Sequence, residues 1–173
     1  MPPDRAPMTI IAEAATMAAF APYGTLLAIN SAGDAGRAVN QGRARRLPGL
    51  RDLTHNAAAS RPVLDLYRIE PSTLPFALVC FERHPLTAQV FVPLEAARLL
   101  VAVAPDDNGR PDIGRARAFI TDRAIIHYRA GAWHAPLVAL DAPATLAMLM
   151  WQTGDARDCE EFFLAEPVTV NGN

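Results

Sequence analysis

The sequence predicts an all-β fold, a barrel or sandwich, and three observations carry that expectation. From Val63 onward the chain divides into short apolar runs: "VLDLYRIE", "FALVCFE", "AQVFVPL", "RLLVAVA", "ARAFI", "AIIHY", "PLVAL" and "TLAMLMW". Turn-forming clusters such as "PSTLP", "PDDNGRPDIG", "RAGAW" and "TGDARD" separate them. No sustained helical periodicity interrupts the series, which argues against a parallel sheet with crossover helices. With 173 residues, 51% of them apolar and 20% charged, the chain can bury one core without staples. Residues 9–173 are read as a single domain, preceded by a flexible tail over 1–8, "MPPDRAPM".

The elements follow in order. "EAATMAAF", residues 13–20, strings helix formers together and stops at Pro22 and Gly24, giving one short N-terminal helix. "TLLAI" reads as a strand, and a loop rich in Gly, Asn and Arg then runs from Asn30 to Arg46. In "FALVCFERHP" alternation puts Glu82 and His84 on one face and Arg83 on the other. Pro85 cannot donate to a ladder, so it ends the strand or marks a bulge. Parity is lost across that kink, and Gln89 in the next run can face the same interior. Downstream, "YRAGAWHAPL" offers a second histidine, His134, three residues after Gly131 and just before an extended Ala-Pro step.

Composition excludes several function classes. A net charge of −2 leaves no basic footprint for nucleic acid or an anionic membrane. Every basic residue is arginine, so a lysine Schiff base, pyridoxal-phosphate chemistry of the usual kind and a Walker-type phosphate lysine are all absent. Cys80 and Cys159 are too few and too far apart for a disulfide framework or a zinc cluster. No apolar run reaches spanning length, and Glu13 interrupts the one Ala-rich stretch. The expectation is a cytoplasmic protein.

Glu82, His84, Gln89 and His134 are the candidate site. As residues alone they admit bland readings too. Glu82 and His84 could pair with neighbouring arginines, His134 could bond a strand end, and Gln89 could satisfy buried backbone. His55 and His127 read as surface residues and Trp133 as a packing wall. "PDDNG" lacks the ligand spacing of a calcium loop and is a turn.

Glu82-x-His84-x4-Gln89 followed by Gly131-x-x-His134 resembles the two metal-binding motifs of cupins, with Glu82 in place of the first histidine and Gln89 in place of the glutamate. Val138 stands where an asparagine usually follows the second motif. Taken together, "VNQGRARRL", "FERHPLTAQVFVPL", "RAFITD" and "YRAGAWHAPLVAL" resemble the ureidoglycolate lyase (ureidoglycolate hydrolase) family over most of the chain. The resemblance implies a cupin-like double-stranded β-helix barrel, a homodimer and a nickel cofactor. It implies cleavage of ureidoglycolate to glyoxylate and urea in purine (allantoin) breakdown. It assigns catalysis to Glu82, His84 and His134, and an N/O metal set to Glu82, His84, Gln89 and His134. Substrate binding falls to Asn40, Gly42, Arg46, Gln89 and Tyr128, with Arg117 a further match. Glu82 stands as ligand or as base, its carboxyl expected to be raised by apolar neighbours. Two other classes stay open: a non-enzymatic cupin module that binds a small acid, and a hydrolase that releases ammonia.

Overall fold

The computed structural model describes residues 8–29, 36–95 and 98–173. Of the expected flexible tail, residues 1–7 lie outside the described residues, as do 30–35 of the expected loop. Met8, the last tail residue, accepts a hydrogen bond from Thr169 N–H at 3.0 Å.

In chain order the strands are β1 (Thr9–Ile11), β2 (Glu13–Ala14), β3 (Gly24–Ala28), β4 (Arg37–Val39), β5 (Ala44–Arg46), β6 (Arg61–Ile69), β7 (Pro71–Ser72), β8 (Phe76–Arg83) and β9 (Gln89–Pro93). They continue as β10 (Arg98–Ala104), β11 (Asp106–Asp107), β12 (Arg110–Pro111), β13 (Arg117–Asp122), β14 (Ala124–Tyr128), β15 (Trp133–His134), β16 (Val138–Leu140), β17 (Ala144–Gln152) and β18 (Glu160–Asn171). One helical turn, α1 (Met17–Phe20), lies between β2 and β3. A nine-stranded sheet runs β1-β18-β8-β15-β10-β13-β2, with β16 also paired to β10 and β7 paired to β16. A five-stranded sheet runs β3-β14-β9-β17-β6. The expected all-β architecture is the one observed. No described helix is long and apolar enough to cross a membrane.

Strand parity shows where the core sits. On β10, Leu99, Val101 and Val103 join Phe119 of β13 and Phe91, Ile126, Leu146 and Met148 of the other sheet in one buried cluster. Leu100, Ala102 and Ala104, on the opposite face of β10, join Ile10, Phe81, Trp133, Val168 and Val170 in a second. The first cluster therefore lies between the sheets and the second behind the larger one. Burial on both faces is why "RLLVAVA" reads as an unbroken apolar run rather than an alternating one. Each fully buried Leu, Val or Phe in these clusters contributes about 1.5–3 kcal/mol.

Two sequence expectations are corrected, and one strand lies where the sequence pattern marks none. The helix is a single turn, capped where Thr16 Oγ1 accepts from Ala19 N–H at 3.1 Å, because Glu13 and Ala14 pair in parallel with Phe119 and Ile120 instead. A helix so short gains little from propensity, and sheet pairing decides its start. The described part of the expected loop is a hairpin, β4 on β5, turning through Asn40–Gly42. The twelve-residue β18 carries no clean alternation in "EEFFLAEPVTVN". Its pairing with β8 shifts register between Phe163 and Val168, and Pro167 sits at that irregularity.

Candidate active site

Sheet register brings the candidate residues together from three strands. His134 of β15 lies directly opposite Glu82 of β8 and opposite Val103 of β10, so all three side chains point into the space between the sheets. Gln89 on β9 faces Tyr128 on β14 and Met150 on β17, and these enter the same space from the other sheet. Pro85 ends β8 as its missing N–H requires, and His84 sits at the turn between the two sheets.

Both imidazoles are fixed by backbone carbonyls. His84 Nδ1 lies 2.6 Å from the Asp158 carbonyl oxygen, and His134 Nδ1 lies 2.9 Å from that of Ala132. A carbonyl oxygen only accepts, so Nδ1 carries the proton in each ring and Nε2 keeps its lone pair. Both Nε2 atoms are buried without a hydrogen-bond partner, and so is Gln89 Oε1. Ligand atoms of Glu82, His84 and His134 all lie within 4.8 Å of one another. Two lone pairs and a carboxylate within 4.8 Å, with the unpartnered Gln89 amide oxygen buried on the facing sheet, is an arrangement that wants a cation. The donor set fits a divalent transition ion, and the carbonyl bonds to Nδ1 are the outer contacts that orient such ligands.

The electrostatics point the same way. Glu82 Oε1 lies 3.5 Å from His134 Nε2, within ionic reach though outside hydrogen-bond geometry. When His134 takes a second proton on Nε2, that contact holds the Glu82 carboxyl below the usual range, against the opposing effect of burial. The expected upward shift is thus corrected: the imidazoles outweigh the apolar neighbours. Burial pushes His84 down and keeps it neutral, and a second proton on His134 pushes it the same way. Tyr128 is wholly buried and its phenol is pushed far up by desolvation. Its ring stacks on His134 at 4.0 Å and 13°, lying behind the imidazole rather than lining the cavity.

A cavity of about 410 Å³ opens onto this cluster, lined by Glu82, His84, Gln89 and the buried Asp158, and by Arg61 and Asp65, which are exposed and so stand at its mouth. A second of about 220 Å³ shares Tyr67 and Glu82 with it and includes His134. Asp158 was read only as part of a turn. It is buried, its carboxyl raised by desolvation, and its Oδ1 accepts from Leu86 N–H at 2.5 Å, bracing the turn that holds His84. Arg61 escaped the sequence reading because that strand was started at Val63. Alternation extended two residues back gives Arg61-x-Val63-x-Asp65-x-Tyr67 on one face. Arg61 Nη2 donates to Gln152 Oε1 at 3.3 Å, and no carboxylate is paired with Arg61 among the described residues.

Other candidates are placed elsewhere. Asn40, Gly42 and Arg46 sit exposed on the β4–β5 hairpin and do not line the cavity of their own chain. Arg83 points away from Glu82, as alternation requires. It pairs with Asp106 and Glu160, each at 2.7 Å, and covers Trp133 at 4.6 Å. Arg117 pairs with Glu13 at 3.0 Å. His55 is exposed and stacks on Trp151 at 4.7 Å. His127, expected at the surface, is buried with neither ring nitrogen partnered.

Comparison with known proteins follows the same direction. A family model described as "Ureidoglycolate lyase" matches residues 7–171. The ureidoglycolate lyase of Chelativorans sp. (strain BNC1) is 34% identical over 163 residues, 94% of this chain and 96% of that one. That of Burkholderia mallei (strain NCTC 10229) is 36% identical over 159 residues, 91% of each. That of Rhizobium etli (strain CIAT 652) is 32% identical over 157 residues, 90% of this chain and 91% of that one.

Proposed function

This chain belongs to the ureidoglycolate lyase family, and from that membership and the donor set of its cavity we propose that it cleaves ureidoglycolate to glyoxylate and urea in purine breakdown. One observation carries the chemistry: two imidazoles with Nδ1 tied to carbonyls, whose Nε2 lone pairs lie with the Glu82 carboxylate within 4.8 Å.

Ureidoglycolate is a carbinolamine bearing a carboxylate. Glu82, held ionised at neutral pH, takes the hydroxyl proton. The oxygen's electron pair then forms the new C=O, the C–N bond breaks and its electrons pass to nitrogen. Glu82 returns the proton to that nitrogen, so glyoxylate and urea leave with every atom accounted for. Arg61 supplies N–H donors for the substrate carboxylate at the mouth. Tyr128 acts as a positioning residue by stacking on His134. Glu82, His84 and His134, with Gln89 as a fourth donor, would hold a divalent ion such as nickel. When bound, that ion would polarise the hydroxyl and lower its pKa. A cytoplasmic homodimer completes the reading, and the free thiols Cys80 and Cys159 suit a reducing compartment.

The test is to incubate purified protein, with and without added nickel, with ureidoglycolate and to assay all three products. Glyoxylate with equimolar urea is the expected result. Ammonia in place of urea would indicate the hydrolase, and binding without turnover a small-acid-binding module.

A further inference from the structure

The outer face of the five-stranded sheet carries a cleft of its own, and a buried histidine lies on its floor. Successive residues of β14 point to opposite sides. Tyr128 turns inward to back His134, while His127 turns outward between Thr25 of β3 and Val90 of β9. Arg129, two positions on, falls on the same outer face, and its N–H still pairs with Tyr23 O at 3.0 Å, which keeps the parity beyond the end of β14. Residues 47–54 cross over this row without regular structure. They are tied down where Thr54 O accepts from Ala88 N–H at 2.9 Å and where His55 bridges to Thr87. Sheet and segment enclose about 510 Å³, with Thr25, His127 and Arg129 on one side and Leu50, Arg51 and Asp52 on the other. That volume is within the usual span of small-molecule sites.

Two independent observations point to a ligand there. His127 is only 5% exposed, and neither of its ring nitrogens has a hydrogen-bond partner. A neutral imidazole carries one N–H donor and one acceptor, and leaving both unpaired under cover costs free energy that a bound group would recover. Charge is the second. Neither Arg51 nor Arg129 pairs with a carboxylate among the described residues. These two guanidinium groups face one carboxylate, Asp52. The catalytic cavity has the inverse balance, four carboxylates against Arg61 alone. The cavity suits a cation and the outer cleft suits an anion. Guanidinium forks fit carboxylate and phosphate alike. Leu50 adds an apolar wall that a bare phosphate would leave uncovered, so the cleft favours an anion with a carbon body.

We propose that this outer cleft is a second ligand site, which takes the carboxylate of a small organic acid. Arg51 and Arg129 grip the carboxylate, His127 donates a ring N–H to it, and a short apolar body lies against Leu50. The site stands across the sheet from Glu82 and does not depend on what the catalytic cavity cleaves. The test uses the full chain with its four histidine rings isotope-labelled, followed by NMR at fixed pH. Isobutyrate is the probe, a carboxylate with a short apolar body and neither hydroxyl nor ureido group, and inorganic phosphate is titrated separately. The His127 signals are those lost in His127→Phe. Isobutyrate should move them saturably while His84 and His134 stay in place, and phosphate should need at least about tenfold more. Arg51→Ala and Arg129→Ala should each weaken isobutyrate by about tenfold, the worth of one charge-assisted hydrogen bond, and Asp52→Asn should tighten it. These three positions are exposed, so if His127→Phe does not fold, calorimetric affinities of their variants decide alone. His127 signals that never move, or an affinity indifferent to both arginines, would overturn the site. Movement of His84 and His134 with His127 fixed would do the same, by placing the acid in the catalytic cavity. Phosphate binding more tightly than isobutyrate would overturn the ligand class.

Discussion

His127 shows how much a single residue can hide. Its place beside Tyr128 in "AIIHY" gave no sign of burial, because period-two alternation marks a face without saying whether that face is covered. The outer face of β14 is in fact covered at this point, and desolvation pushes the imidazole down with only the charge of Asp52 opposing. The sign follows from linkage. Above the unfolded value of about 6.5 both states are neutral and the fold pays no penalty. As pH falls from about 6.5 toward the depressed folded value, the unfolded chain binds a proton that the folded one does not, and stability drops by up to about 1.4 kcal/mol per pH unit until the folded imidazole is protonated as well. Urea midpoints measured across this range should fall on acidification in the wild type and flatten in His127→Leu. An unchanged slope would mean that His127 is not buried as a neutral base. Glu82 was the opposite case. Its position was legible from parity with His84, but the direction of its shift was not, since that depends on His134, 52 positions away in sequence and opposite it in space. Glu82→Gln should keep the fold, by circular dichroism, and lower turnover by about 10²–10⁴-fold, the usual contribution of a positioned base.

At the scale of elements, runs with turns at both ends were legible, and segments decided by distant pairing were not. "RLLVAVA" and "AIIHY" appear with the bounds the pattern gives. β18 was missed because its charged start and Pro167 break the alternation that identifies a strand; it exists because β8 and β1 offer it two edges. The start of the helix was misread for the same reason, since β13 claims Glu13. Gly24 tests how far such pairing reaches toward the site. A Cβ there would lie 1.8 Å from the His127 carbonyl oxygen, a backbone atom that β14 cannot move freely. Gly24→Ala should therefore destabilise the fold by about 1–3 kcal/mol, as overpacking does. It should also reduce turnover, because β14 carries the Tyr128 ring that backs His134. A wild-type urea midpoint would show that β3 and β14 are not packed this closely.

Across the whole molecule, the cluster joins the two sheets. Glu82 and His134 belong to the nine-stranded sheet, Gln89 to the five-stranded one, and His84 to the turn between them. The sequence could place these residues on strands, but it could not show that the strands belong to facing sheets, because that is set by pairings between segments far apart in the chain. The consequence is measurable. A divalent ion held by this set binds the folded chain and finds no assembled site in the unfolded one, so it stabilises by mass action. At a hundredfold excess over its dissociation constant the gain is about 2.7 kcal/mol, which for a chain of this size raises Tm by roughly 5–10 °C. Calorimetry with added nickel should show that rise and a chelator should reverse it. His134→Ala should lose most of it, because it removes the ligand opposite Glu82 and leaves the larger sheet with one donor. Arg61→Ala, at the mouth but outside the donor set, should keep the full rise while raising KM for ureidoglycolate. If His134→Ala gained as much from nickel as the wild type, the ion would be binding elsewhere, and the convergence of the two sheets on these four side chains would serve packing rather than chemistry.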